Sequence, residues 1–401
     1  MSEHTLLVGL DIGDEVSQLA VFHEDTLEAK GVGVTEENPE GYIPTSVALE
    51  GKESIDDFFV KIRKGQPIMV DDVESAPVNV LAYFFRKTLS LTRKQYPSET
   101  IKKLVVTFED TTPELIQLVY SALEKLNIQK DRAMVMSHKN CFAYYALYQK
   151  KELWINDVGV FDYHGDTLKY YQMQLDRRLS PILVAVGERD MSDALHTLEG
   201  DDDTNRGAVL DNVVQGAIHR QILSSLYMIG DTFKEDWCGE VLKRLCVGRR
   251  VFMGNNLFVA GACIAARELT EKKRLEEYML MDDDMIHSRI SFDSYYHGKK
   301  EEYVLVKPGE PWYQVNEEVD IIPYDEEELC LHIVNVFTKE EKQIMVDLEP
   351  VLGRTNRQCR LHLRLCFADA KKCVIILKDM GFGALYESSN RIWEKVIEID
   401  S

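Results

Sequence analysis

Leu6-Leu7-Val8-Gly9-Leu10-Asp11-Ile12-Gly13-Asp14-Glu15-Val16-Ser17-Gln18-Leu19-Ala20-Val21-Phe22 contains two apolar runs, residues 6–10 and 19–22, around a polar turn at residues 11–15. Apolar runs separated by Gly and Asp predict a hairpin of buried strands. An acid and a glycine at the end of a buried strand also suit a phosphate-and-metal site. Backbone approaches closely at Gly13, and the Asp11 carboxylate has the chemistry to hold a hydrated cation. The competing reading is an ordinary hairpin with an acidic turn, and the rest of the chain bears on the choice.

Working outward, the same pattern returns at residues 157–173. A buried run ends in Asp162, a turn follows with His164, Gly165, Asp166 and Thr167, and a second run comes back. Two copies of one hairpin predict two related lobes, about 1–156 and 157–284. Between the copies lie a short strand at 43–49, a helix at 78–96, a buried strand at 104–108 and a helix opened by Thr112, Pro113 and Glu114. That opening combines a capping hydroxyl, an early proline and a first-turn acid. A strand at 133–136 and a helix from 141 complete an α/β order. In the second half, residues 188–206 read as an acidic loop, including Asp201, Asp202 and Asp203. Helices follow at 207–224, 237–245 and 256–269, with a strand at 225–229 running into Gly230 and Asp231. The small residues Ala260, Gly261, Ala262 and Cys263 allow the last helix to pack closely on a neighbour.

From about residue 286 helical spacing gives way to short alternating runs, clearest at 360–367. One wet face per strand predicts an antiparallel β-sandwich over 286–401, with Trp312, Phe337 and Phe367 in its core. The acids Asp282, Asp283 and Asp284 form a linker, and those at 325–328 a solvated turn.

The chain has 401 residues and a net charge of −21. That charge disfavours nucleic acid and anionic lipid, because the basic clusters are interrupted by acids. No secretory leader or membrane span is expected. The eight cysteines, Cys359 among them, form no CxxC pair. Reduced thiols in a cytoplasmic protein are therefore expected, with no zinc site.

The ordered set of pieces resembles the actin, sugar-kinase and Hsp70 ATPase superfamily, and Hsp70-type chaperones in particular. Asp11 to Glu15 stands at the first phosphate loop, residues 43–49 at the following strand, and residues 105–143 at the first connecting region. Residues 161–167 stand at the second phosphate loop, residues 228–232 at the adenosine turn, and Val259 to Ala262 at the second connecting helix. The resemblance implies an actin-like (ribonuclease H-like) α/β ATPase domain over 1–284. It also implies a substrate-binding β-sandwich over 286–401 without the helical lid. ATP and Mg are the implied cofactors, with Asp11 and Asp162 at the metal and the chemistry. Gly13, Gly165, Thr167, Gly230 and Gly261 are the implied nucleotide contacts. The implied partners are proteins or unfolded peptides in a bacterial cytoplasm.

Several departures alter the expected activity. Asp14 and Glu15 replace phosphate-gripping hydroxyl and glycine residues, and carboxylates repel a triphosphate at short range. His164 and Asp166 replace glycines in the second loop. His138 stands where the chaperones carry an acid, and Asp231 replaces a glycine at the adenosine turn. The interval before that turn is too short for the subdomain that clamps adenine. The family's catalytic lysine has no clear counterpart, Arg63 and Lys64 being the nearest. The expectation is a chaperone-type or interaction protein with a weak or lost ATP site, a poor or inactive ATPase. The alternatives are an active Mg-dependent ATPase cycling a peptide-binding sandwich and a small-molecule kinase of the same superfamily.

Overall fold

In a computed structural model the protein is a mixed α/β chain of two compact units, residues 1–280 and 281–401. The structure describes residues 5–48, 54–70, 73–178, 180–195, 203–270, 273–282, 284–323, 328–336, 338–348, 360–384 and 386–399. Leu49, Asp201, Asp202, Asp283, residues 325–327, Phe337 and Cys359 lie outside the described residues.

The N-terminal unit begins with β1 (Thr5–Ile12), β2 (Val16–His23), β3 (Glu28–Gly31), β4 (Tyr42–Pro44), β5 (Val47–Ala48) and β6 (Ser54–Ile55). Next come α1 (Phe58–Arg63), β7 (Ile68–Val70), β8 (Val73–Ser75), α2 (Pro77–Gln95) and β9 (Thr100–Phe108). α3 (Pro113–Glu124), β10 (Ala133–Ser137) and α4 (His138–Tyr148) close its first half. The second half is β11 (Asp157–His164), β12 (Thr167–Asp176), β13 (Ile182–Asp190), α5 (Ser192–Leu195) and α6 (Asp203–Ala217). It ends with β14 (Leu223–Ile229), α7 (Gly239–Leu245), β15 (Arg250–Met253), α8 (Leu257–Glu268) and β16 (Tyr278–Met281).

The two halves build sheets of matching order. One runs β10-β9-β1-β2-β3 with β4 beside β2, the other β15-β14-β11-β12-β13-β16. In each, the central strand pairs antiparallel with the next strand of its hairpin and parallel with a strand reached through a crossover. Asp11 sits between Gln18 and Thr107 in register, and Asp162 between Lys169 and Ile229. β9 is buried throughout residues 104–108, as expected of a strand covered on both faces. The opening of α3 follows its sequence pattern, with Thr112 Oγ1 accepting from Leu115 N at 3.3 Å and Pro113 in the first turn.

Three differences from the sequence reading have physical causes. Residues 188–190 are not loop but the end of β13, held antiparallel along the long β12 edge. The helix expected to reach residue 224 ends at Ala217, because Leu223 must start the strand parallel to β11. The largest difference is α8, which sequence order assigns to the second lobe. It packs on the first sheet, its Val259, Ala262 and Cys263 sharing a core with Leu7, Ala20, Val105 and α4's Cys141. Its Leu257 and Phe258 join a different core, with Val158, Val160 and Tyr171 of the second sheet. The α4–α8 pair is therefore a layer held between the two sheets.

Close approach makes this possible. A Cβ on Gly261 would overlap the Cys141 carbonyl, and one on Gly9 would lie 2.5 Å from Val259 O. On the far face of the second sheet, α6 and α7 bury Leu210, Val214, Val241 and Leu245 against Phe161, Tyr170 and Met228.

The C-terminal unit contains β17 (Ser288–Tyr296), β18 (Lys299–Val306), β19 (Asn316–Ile321), β20 (Glu328–Asn335), β21 (Glu341–Asp347), β22 (Leu361–Asp369), β23 (Lys372–Asp379) and β24 (Ile392–Glu398). They form two antiparallel sheets, β18-β17-β20-β21 and β19-β22-β23-β24. Alternate residues of both sheets enter one core, including Ile290, Leu331, Leu363, Phe367 and Leu377, with Trp312 packed against it. The carboxylate of Asp379 is fully buried there. It accepts from Gly381 N at 2.8 Å, Ser389 N at 2.8 Å and Ser389 Oγ at 2.6 Å. Asp379→Ala strands these donors and is expected to cost about 2 kcal/mol. A urea titration followed at Trp312 and Trp393 should show the loss, with the N-terminal unit's transition unchanged.

Candidate functional site

The two sheet centres bring Asp11 and Asp162 into one acidic neighbourhood. β10 ends at Ser137, whose hydroxyl caps α4 by accepting from Asn140 N at 3.3 Å. The first helical residue is thereby fixed at the end of β1. That residue is His138, and its Nε2 lies 2.7 Å from Asp11 Oδ1. The ring stacks flat on Phe258 of α8, with centroids 3.9 Å apart and planes 8° apart. Both side chains are nearly buried, 11% exposed for His138 and 15% for Asp11. Burial works against a charged imidazole here. The Asp11 carboxylate and its hydrogen bond, with Asp162 and Glu109 nearby, outweigh it and raise the His138 pKa above its ordinary value.

Asp162 meets a second histidine. His164 Nε2 stands 3.1 Å from Asp162 Oδ1, and this approach, against some burial, raises the His164 pKa. Lys169 is opposite Asp162 across the hairpin and forms ion pairs with Glu109, at the end of β9, and with Glu188 at 3.1 Å. Burial opposes its charge, but the two carboxylates prevail and its pKa is raised. Asp14 is held by Arg63 at 2.5 Å, with Asp110 3.7 Å from the same guanidinium. Arg63 therefore pairs with Asp14 of the first turn, and Lys64 is the exposed residue that ends α1.

Three of the candidate nucleotide contacts, the amides of Gly13, Gly165 and Gly230, donate within the protein itself. Gly13 N donates to Val16 O at 3.1 Å, Gly165 N to Thr232 Oγ1 at 3.1 Å and Gly230 N to Asn255 Oδ1 at 3.0 Å. Gly230, at φ +107°, presses on the Tyr163 backbone so closely that a Cβ would overlap it. Thr167 is exposed beside the turn, paired with His164 in the hairpin. Gly261 stands apart from this cluster, buried against α4.

Asp231 joins a bridge between the two halves. Asn255 Nδ2 donates to Asp231 Oδ1 at 2.8 Å and to Tyr42 Oη at 2.7 Å, and Lys234 lies 3.0 Å from both Asp231 and Glu40. Burial is the main cause of a Tyr42 pKa pushed up to about 12.

Two family models match the chain. One, described as family of unknown function (DUF5716) C-terminal, matches residues 46–283. The chain belongs to this family. The family's match covers Asp162, Gly165, Thr167, Gly230 and Gly261, while Asp11 and Gly13 precede it. A second model, described as domain of unknown function (DUF8552), matches residues 285–399. No curated protein matches the chain.

Several carboxylates of the cluster already have cationic partners within the protein. The Asp11 carboxylate is occupied by His138, Glu109 by Lys169 and Asp14 by Arg63. Among the described residues no group of three His, Cys, Asp or Glu is arranged to hold a metal.

Sequence reading did not identify Glu109, Lys169, Phe258, Tyr42 or Asn255. For Lys169 a signal exists: strand register places it opposite Asp162 as Gln18 is opposite Asp11.

Proposed function

We propose that the N-terminal unit is an actin/Hsp70-like two-lobed domain whose nucleotide cleft is closed by its own side chains. The C-terminal unit is then a β-sandwich of the substrate-domain type, and the protein acts by interaction with other proteins or unfolded peptides. The matching sheet orders, with a helix pair between them, support the fold reading. The observation that carries the functional reading is the state of the three glycine amides. Gly13, Gly165 and Gly230 each donate to an acceptor within the protein. Phosphate and nucleoside binding at these amides would have to displace those bonds and leave Val16 O, Thr232 Oγ1 and Asn255 Oδ1 to find other partners. ATP and Mg binding are lost on this reading, and the interaction surface is what remains.

Calorimetry with Mg·ATP tests it on the full chain. The expected result is no saturable heat, meaning a Kd weaker than about 1 mM. Micromolar binding that Asp11→Asn alters, with measurable turnover, overturns the reading in favour of an active ATPase. Unfolded-peptide arrays probe the interaction arm, where binding by the full chain is expected irrespective of added ATP.

A further inference from the structure

α4 has a second functional end. His138 is at its N-terminus. About 15 Å away along the helix axis, Tyr148 opens onto a cavity of about 390 Å³. That volume lies within the range of small-molecule sites. The cavity belongs to the N-terminal unit and shares no lining residue with the acidic cluster.

Its walls are aromatic and held in place. Trp154 Nε1 donates to Gln149 O at 3.0 Å, and Arg177 donates to Trp154 O at 2.9 Å. Tyr278 meets the Trp154 ring edge-on at 5.7 Å. The Arg274 guanidinium stacks over the Tyr148 ring, 4.8 Å from its centroid. The Tyr148 hydroxyl is shielded from solvent and has no hydrogen-bond partner among the described residues.

The charge of the lining is the reverse of the chain's. Lys150, Lys151 and Arg274 line the cavity against one carboxylate, Glu277. None of the three cations forms an ion pair among the described residues, although the chain carries a net charge of −21. The lining therefore carries a net positive charge in a strongly acidic chain, which an anionic ligand would complement.

We infer that this cavity binds a small organic anion, with an apolar planar body against Tyr148, Trp154 and Tyr278 and a carboxylate or phosphate among Lys150, Lys151 and Arg274. The site is independent of the nucleotide reading and stands whether or not the cleft binds ATP.

The probe is 8-anilinonaphthalene-1-sulfonate, titrated into the full chain by fluorescence, with uncharged N-phenyl-1-naphthylamine in parallel. Saturable binding of one anion per chain is expected. The combined change Lys150→Ala, Lys151→Ala and Arg274→Ala should weaken it about tenfold. All three cations are exposed, so their removal leaves the fold intact, as circular dichroism will register. Benzoate and phenyl phosphate are the competitors; displacement by either supports the site, and the tighter one identifies the headgroup. Equal affinity in the triple variant, equal affinity for the uncharged naphthylamine, no saturable binding, or displacement by neither acid overturns the inference.

Discussion

Gly261→Val is expected to destabilise the N-terminal unit by about 3 kcal/mol or more, because no rotamer relieves a backbone clash. The Cβ at this position falls on the Cys141 carbonyl, and both atoms belong to helices fixed between two sheets. Neither helix can retreat without opening a core on its other side, so the strain extends into both lobes. The measurement is a urea titration followed at Trp154 and Trp237, in a chain whose Trp312 and Trp393 have been changed to phenylalanine. Gly216→Ala supplies the contrast. It lies in α6 with open space where its Cβ would go, and should stabilise the unit by about 0.5–1 kcal/mol. A small effect at Gly261 would mean that α4 and α8 do not cross as described.

His138→Ala is the second large change, with an expected cost of about 3–5 kcal/mol. It leaves the Asp11 carboxylate nearly buried, without its partner and close to Asp162 and Glu109. Asp11→Asn should cost far less, since an amide still accepts from a histidine that no longer needs its charge. The pair also gives the unit a pH dependence of definite sign. The His138 pKa is raised on folding, so the folded state holds its proton more tightly than the unfolded chain. The pair's contribution is complete below the ordinary histidine value of 6.5 and is lost as pH rises through the raised value. His164 is raised as well and adds a slope of the same sign. Stability curves of the wild type and His138→Ala across that window should therefore converge toward alkaline pH. Parallel curves would show that His138 is not charged when paired.

Much of the scaffold can be read from the sequence because its signals are local. Each hairpin announces itself as an apolar run ending in Asp and Gly, and α3 begins where hydroxyl, proline and acid occur together. The small residues of α8 indicate close packing, and the structure places Gly261 against α4. The destination of that packing was not legible, because nothing in residues 257–268 specifies the first sheet over the second. β13 and β24 were also missed, since strands with exposed positions and charged ends resemble loop. The site followed the same rule. Asp11 and Asp162 stand out within their own hairpins, whereas the pairing of Asp11 with His138 and of Lys169 with Glu109 joins segments distant in sequence.

The placement of α8 has a consequence for how the protein is made. Residues 5–148 supply the first sheet and α4, but the helix completing that face lies at 257–268. At 5–20 residues per second a ribosome needs roughly 6–24 s to bridge that interval. Through it Leu7, Ala20, Val105 and Cys141 lack their cover, so the emerging chain carries an adhesive surface that its own later segment must seal.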